Sequence, residues 1–271
     1  MKKIILILLV GAVGALGRAE KKAGEREITY SPDLFKSAMA GDPEAQADLG
    51  MCYFKGTGVV KNVKEAVKWY AKSAEQGYAW AQASLGKCYQ EGTGVTKNDL
   101  LAAEWYQKSA EQGNKWAQLE LGVCYEKGRG LGKNEQEAVK WYTKSAEQGV
   151  SIAQCNLGVC YENGIGVTQD YEKAGKWYRK SAEQGDEWAQ MHLGWFYLNG
   201  KGVLKDEKEA VRLWTKSAEQ GNDAAQFMLG KCYLEGKGVE KSRIGGIKWL
   251  KQSAKHGNSH ATEELKKIQA D

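Results

Sequence analysis

The chain has 271 residues, 42% hydrophobic and 27% charged, which excludes a disordered tail and suffices for one or two ordinary domains. Thirty-three Gly against two Pro exclude collagen-like and Pro-rich chains, which need both, and place the glycines in a turn-rich helical design. Lys and Arg total 39 against 34 Asp and Glu, but Lys2, Lys3 and Arg18 fall in a removable leader, so the mature surplus is +2 and argues against a nucleic-acid partner, which needs a concentrated basic face.

Residues 1–19 read as a signal peptide: Lys2 and Lys3, an apolar run from Ile4 to Leu16, and the small-residue end Gly17-Arg18-Ala19. The run is shorter than the roughly 20 residues that span a bilayer, so a retained anchor is the weaker alternative. No Cys near its end could carry a lipid. A periplasmic or secreted protein with no transmembrane segment after cleavage is expected, with residues 20–30 as a linker.

From there the chain repeats. SAEQG begins at Ser73, Ser109, Ser145, Ser181 and Ser217, with SAMAG at Ser37 and SAKHG at Ser253, every step being 36 residues. A fixed period without insertions predicts a solenoid whose units bury their apolar faces on one another. Residues 31–41 form a half-unit, 42–257 six full helix pairs, and 258–271 a terminal capping helix with a charged outer face at Glu263, Glu264, Lys266 and Lys267.

Within a unit, the first helix starts at Asp42-Pro43 and carries Ala45, Leu49, Cys52 and Tyr53 on one face before Gly56 and Gly58 turn the chain. The second is capped by Asn62, Asn98, Asn134, Asp170, Asp206 or Ser242. Glu65, Glu137 and Glu209 follow at the capping-box spacing. Ala66, Trp69, Tyr70, Ser73 and Ala74 form the buried face of the second helix, and Gly77 stops it. Trp69, Trp105, Trp141, Trp177 and Trp249 share one slot and are expected in the core.

One unit reads A-Q-x-x-L-G-x-C-Y-x-x-G-x-G-V-x-x-N-x-x-E-A-x-x-W-Y-x-K-S-A-E-Q-G, and this resembles the Sel-1-like repeat, a relative of the tetratricopeptide repeat, from about Ser31 to Gln269. The resemblance implies an all-α fold, a right-handed α/α superhelical solenoid, acting as an adaptor for protein complexes. It places the first helices of the pairs on the concave surface. Departures concentrate late: Phe196 takes the Cys slot, Leu213-Trp214 replaces Trp-Tyr, and Gly245-Gly246 replaces Glu-Ala. Some secreted relatives brace each unit with a disulfide, but here those positions include Ala74, Ala110 and Ala146.

Six cysteines in an exported chain invite a disulfide framework. Cys52, Cys88, Cys124, Cys160 and Cys232 share one slot in different units, roughly 8–10 Å apart by helix packing, whereas a disulfide needs Cα atoms within about 4.4–6.8 Å. Cys155 and Cys160 face different directions on one helix, so all six read as buried thiols. His256 and His260 have a metal-ligand spacing, but Gly257 breaks the helix between them, and no metal or cofactor is expected. Ser84 and Lys87 satisfy S-x-x-K, which matters because some relatives of the resembled family are linked to β-lactam hydrolysis. No S-D-N or K-T-G accompanies them.

Trp80, Trp116 and Trp188 share a slot near the start of the first helix, where the resembled family is usually small or polar. At i, i+4 and i+7 they align with Ser84 and Lys87, with Glu120 and Val123, and with His192 and Trp195. These residues vary within a constant frame, so the expected partner-binding set is Trp80, Lys87, Trp116, Glu120, Val123, Trp188, His192 and Trp195, without a catalytic residue. Padding of the joints between units is the alternative role for the three tryptophans. The predicted function is a non-enzymatic scaffold that holds a protein or peptide in its groove. An envelope glycan, stacked on the rings, and a weak cell-wall or β-lactam hydrolase centred on Ser84 are the alternatives.

Overall fold

The structure, a computed structural model, describes residues 28–270; the expected signal peptide and all but the last three residues of the expected linker lie outside them. The chain divides into two compact units, one ending at Asn114 and one beginning at Lys115. The first holds α1 (Pro32–Met39), α2 (Pro43–Lys55), α3 (Val63–Glu75), α4 (Ala79–Glu91) and α5 (Asp99–Glu111). The second holds α6 (Lys115–Lys127), α7 (Glu135–Glu147), α8 (Ser151–Asn163), α9 (Tyr171–Glu183), α10 (Glu187–Asn199), α11 (Glu207–Glu219), α12 (Asp223–Glu235), α13 (Arg243–Lys255) and α14 (Ser259–Ala270). Among the described residues there is no strand, and the fold class is the all-α solenoid of tandem helix pairs.

Each pair is a hairpin tied at both ends. At its open end, the Ser of SAEQG donates to the carbonyl of the first residue of the partner helix, as Ser109 Oγ does to Ala79 at 2.6 Å and Ser181 Oγ to Ser151 at 2.8 Å. At the turn, Gly94 has φ +76°, and a Cβ there would lie 2.5 Å from the Val63 carbonyl oxygen, so only glycine fits. In the middle, a Cβ on Gly158 would lie 2.6 Å from the Tyr178 ring; the missing side chain lets the two helices approach over the ring.

The second helices are capped as expected. Asn62, Asn98, Asn134, Asp170, Asp206 and Ser242 each accept from the backbone N–H three residues on, at 2.9–3.1 Å. The expected reciprocal half of the capping box is absent. The cap's own N–H is already taken by a tyrosine carbonyl of the preceding helix, as in Asn62 to Tyr53 at 2.8 Å. Glu65, Glu137 and Glu209 therefore pair forward with Lys68, Lys140 and Arg212.

Within the first unit Leu49 and Leu85, and within the second Leu121, Leu157, Leu193 and Leu229, are buried in the core, each contributing about 1.5–3 kcal/mol of transfer free energy. A polar ladder accompanies it. Within each unit of the chain, Gln76 donates to Gln46, Gln112 to Gln82, Gln148 to Gln118 and Gln184 to Gln154 at 2.7 Å, and Gln220 to Gln190 at 2.9 Å. His256 Nδ1 takes the same role on Gln226 at 3.0 Å. The receiving glutamines are buried, and their amides reach back to the preceding pair, Gln82 to the Ala74 carbonyl and Gln190 to the Ala182 carbonyl.

The frame tryptophans differ from expectation. Trp69 and Trp141 are buried, but Trp105, Trp177 and Trp249 are only half-buried. Lys72, Lys108, Lys144 and Lys180 each lie 4.1–4.4 Å from the centroid of the tryptophan three residues earlier. The phenols behind them need acceptors. Tyr106, Tyr142 and Tyr178 donate to Gln90, Glu126 and Glu162, sixteen residues earlier, at 2.5–2.7 Å. Where that position carries Trp214 or Leu250 instead of tyrosine, the acceptor position is Leu198 or Leu234.

Candidate functional site

In the second unit, Asp186 caps α10 by accepting from Ala189 N at 2.8 Å, and the helix then carries Trp188, His192 and Trp195 along one face. All three are half-buried. His192 Nδ1 lies 3.3 Å from Glu162 Oε2 on α8, and Tyr178 Oη on α9 donates to the same oxygen at 2.6 Å. The Tyr178 and His192 rings stack, centroids 4.9 Å apart and planes 8° from parallel. Among the described residues His192 Nε2 has no protein partner, so one ring nitrogen is anchored and the other is left for solvent or a ligand.

Two buried acids there are driven opposite ways. Burial alone would raise the Glu162 carboxyl. Hydrogen bonds from His192 and Tyr178, with the charges of His192 and Lys201, hold it below the usual carboxylate range. Burial dominates at Asp186 and raises it, although the Ala189 amide and the Cys155 thiol hydrogen-bond to it. Burial and the Asp186 carboxyl push the Cys155 thiol well above its ordinary value, so it is held protonated and is no nucleophile. The cluster therefore presents a fixed imidazole over an ionised carboxylate, flanked by two indoles. Lys201 Nζ lies 4.7 Å from the centroids of both Trp195 and Tyr171.

The other expected residues sit on α6 and α4. Trp116, Glu120 and Val123 are half-buried along one face of α6, with Lys115 Nζ 5.7 Å from the Trp116 ring. In the first unit, Trp80 on α4 meets Tyr70 edge to face at 5.7 Å, so it braces α3 against α4 while keeping part of its surface open. Lys87 is half-buried one turn beyond Ser84, and no hydrogen bond joins those two side chains. The structure thus gathers Trp188, His192 and Trp195 on α10, Trp116, Glu120 and Val123 on α6, and Trp80 and Lys87 on α4.

Sequence reasoning missed Glu162 and Tyr178. Tyr178 falls on the W-Y positions of the repeat, and Glu162 occupies a slot that holds Phe54, Gln90, Glu126, Leu198 and Leu234 in the other pairs. The available signal was the pairing of an acid with a tyrosine sixteen residues later. The six cysteines are buried and free, and burial raises Cys88 to about 11 and Cys160 to about 12. Among the described residues, no three His, Cys, Asp or Glu side chains are grouped to hold a metal ion, and no helix is long and apolar enough to cross a membrane.

Comparison with protein families matches the Sel1 repeat at residues 43–78, 81–114, 117–150, 151–186, 189–222 and 223–258. The chain is similar to c5321, a protective antigen present in uropathogenic Escherichia coli strains displaying an SLR fold, at 42% identity and TM-score 0.81. That match covers 87% of this chain and 50% of the antigen, so this chain spans about half the antigen's length. It is also similar to a Sel1 repeat protein from Oxalobacter formigenes, at 38% identity and TM-score 0.72, over 82% of this chain and 87% of the other. Comparison with curated proteins gives no match.

Proposed function

This chain belongs to the Sel1 repeat family, and on that premise we propose that it is an exported, non-enzymatic adaptor that holds a protein or peptide partner on the first helices of its pairs. Sel1 repeats generally mediate protein–protein interactions, and the family is typically a non-catalytic scaffold.

The observation that carries the reading is the α10 strip. Trp188 and Trp195 offer half-open aromatic surface, and His192 between them is locked by Glu162 and Tyr178 rather than free to turn. An anchored polar atom between aromatic surfaces is what a partner's side chain needs for an oriented contact, because little side-chain entropy is left to lose on binding. The exported location rests on the leader reading, residues 1–19, and places the partner in the envelope or outside the cell.

The test is a pull-down from envelope extract with the mature protein and a Trp188→Ala/Trp195→Ala variant whose folding is checked by circular dichroism. Retention of a protein by wild type and its loss from the folded variant is the expected result. Equal retention by both would move the binding surface off α10. Recovery of the full-length chain from the cytoplasmic fraction would overturn export.

A further inference from the structure

A pocket lies between α9, Tyr197 of α10 and the turn that follows α10, and the internal repeats show how it is made. One slot of the second helix is filled by Val67, Ala103, Val139, Val211 and Ile247, but by Gly175 in α9. One turn later, the slot held by Ala71, Gln107, Thr143, Thr215 and Lys251 carries Arg179, so only α9 joins a cation there to a glycine one turn before. Removal of apolar bulk and addition of a fixed cation at i and i+4 fall on one helix face.

The vacated volume is not wholly refilled. Phe196, which stands in the cysteine slot, comes within 3.6 Å of where a Gly175 Cβ would be and is itself fully buried. Beyond it a cavity of about 360 Å³ remains, lined by Glu172, Gly175, Lys176, Arg179, Val203 and Leu204 among others, at the lower end of the range for small-ligand sites. Its apolar part is Val203 and Leu204, and Leu204 is 91% exposed.

Its cations are unspent. Arg179 donates from Nη2 to Tyr197 Oη at 3.0 Å, which orients the guanidinium without neutralising it. Among the described residues, Lys176 has no carboxylate partner, and Glu172, on the turn before, forms no ion pair. Two cations against a single acid on the same lining favour one negative charge and disfavour two.

We propose that this cavity binds a monocarboxylate carried on an apolar body, its carboxylate on Arg179 and Lys176 and its apolar part on Val203, Leu204 and the bare Gly175 backbone. The same chemistry is offered by a free aliphatic or aromatic acid and by the C-terminal apolar residue of a peptide.

The probes are 3-phenylpropionate, its neutral amide, and the peptide Gly-Gly-Leu with a free or an amidated C-terminus, titrated by calorimetry and ligand-observed NMR. Saturable binding of at least one carboxylate, in about the millimolar range or tighter, is expected, with the matching amide at least about tenfold weaker. Which carboxylate binds better names the source. Gly175→Val restores the slot of Val67, Val139 and Val211, and its Cβ would make only ordinary contacts, the nearest 3.4 Å from Val203 Cγ1. It is expected to weaken binding about tenfold or more and, because Phe196 and Val203 already crowd the slot that the two methyls would enter, to lower the unfolding midpoint modestly. Arg179→Gln is expected to weaken binding without filling the cavity, which keeps the test intact if the valine variant misfolds. Trp188→Ala leaves this binding unchanged. No saturable binding of either carboxylate, amides binding as well as acids, or full binding by Arg179→Gln would each overturn the proposal.

Discussion

Tyr178 and His192, from different helices, reach the same oxygen of Glu162 while their rings lie parallel 4.9 Å apart. A carboxylate that accepts from a phenol and an imidazole is stabilised in its ionised form despite its burial, and in turn it fixes the ring that Trp188 and Trp195 flank. Stability and recognition share a residue here, and substitutions can separate them.

Glu162 and Asp186 should respond to acid in opposite directions. The folded value of Glu162 is depressed, so its contribution is complete above the ordinary glutamate value and is lost as pH falls through the lower folded one. The folded value of Asp186 is raised, so its contribution is complete below its unfolded value and is lost as pH rises through the folded one. Glu162→Gln is expected to cost about 1–3 kcal/mol at pH 7 and to flatten the acid limb. Asp186→Asn should be neutral or stabilising at pH 7, since Asn222 caps α12 with the same geometry. Urea midpoints between pH 3.5 and 8 decide this; parallel profiles for the two variants would refute it.

The glutamine ladder should be energetically directional. Gln154→Ala removes the acceptor of the Gln184 amide and one donor to the Ala146 carbonyl, which keeps the Gly149 N–H at 3.0 Å, and is expected to cost about 1–3 kcal/mol; Gln184→Ala removes only the donor to the buried Gln154 oxygen and should cost about 1–2. The double variant should cost less than the sum of the two. Strict additivity in denaturant unfolding would show that the rung carries no coupling.

Glycines of identical count are not of identical importance. Gly122→Ala drives a Cβ to 2.6 Å from the Tyr142 ring and should cost about 1–3 kcal/mol, whereas Gly132→Ala meets nothing within 4 Å and should be neutral or slightly stabilising. Thermal midpoints of the two variants differing in this order would support the helix-approach role. Equal shifts would contradict it.

The buried thiols should serve as clocks of local opening. With Cys88 and Cys232 raised to about 11 and Cys160 to about 12, alkylation by iodoacetamide at pH 8 should be negligible in the native state and rise with denaturant. Rapid native-state labelling of any of the six would mean that its helix pair is open.

Most of the frame could be read from the chain because a 36-residue period repeats each signal six times: capping residues, glycine pairs and the leucine stripe land where the pattern puts them. The ladder was equally periodic, with Gln46 and Gln76 recurring in step, but glutamine is an ordinary surface residue and the pattern alone does not say that it is buried. The capping-box glutamates pair forward instead because the tyrosine carbonyl that takes the cap N–H lies on the preceding helix, outside the local motif. At the site, the variable residues of α10 were legible as departures from the frame. Glu162 was not, since its partner is itself a frame residue. The cavity beside Gly175 was hidden for another reason, being a matter of atoms that are missing.

The pairing of Tyr106, Tyr142 and Tyr178 with an acceptor sixteen residues upstream, which Tyr70 over Phe54 lacks, sets the smallest unit of inheritance in the middle of this array. Tyr106, Tyr142 and Tyr178 come with Gln90, Glu126 and Glu162, while Trp214 and Leu250 come with Leu198 and Leu234. The bond from one hairpin to the one before it, as from Gln190 to the Ala182 carbonyl, ends on backbone and is indifferent to the neighbour's sequence. Crossovers at turns such as Gly221, where Gln226 reaches the Ala218 carbonyl, therefore transplant a self-sufficient hairpin, whereas one at Gly185 would part His192 from Glu162. Crossovers at turns such as Gly164 orphan a hydroxyl or a carboxylate. Duplication and shuffling of these genes should leave breakpoints between hairpins and not within them.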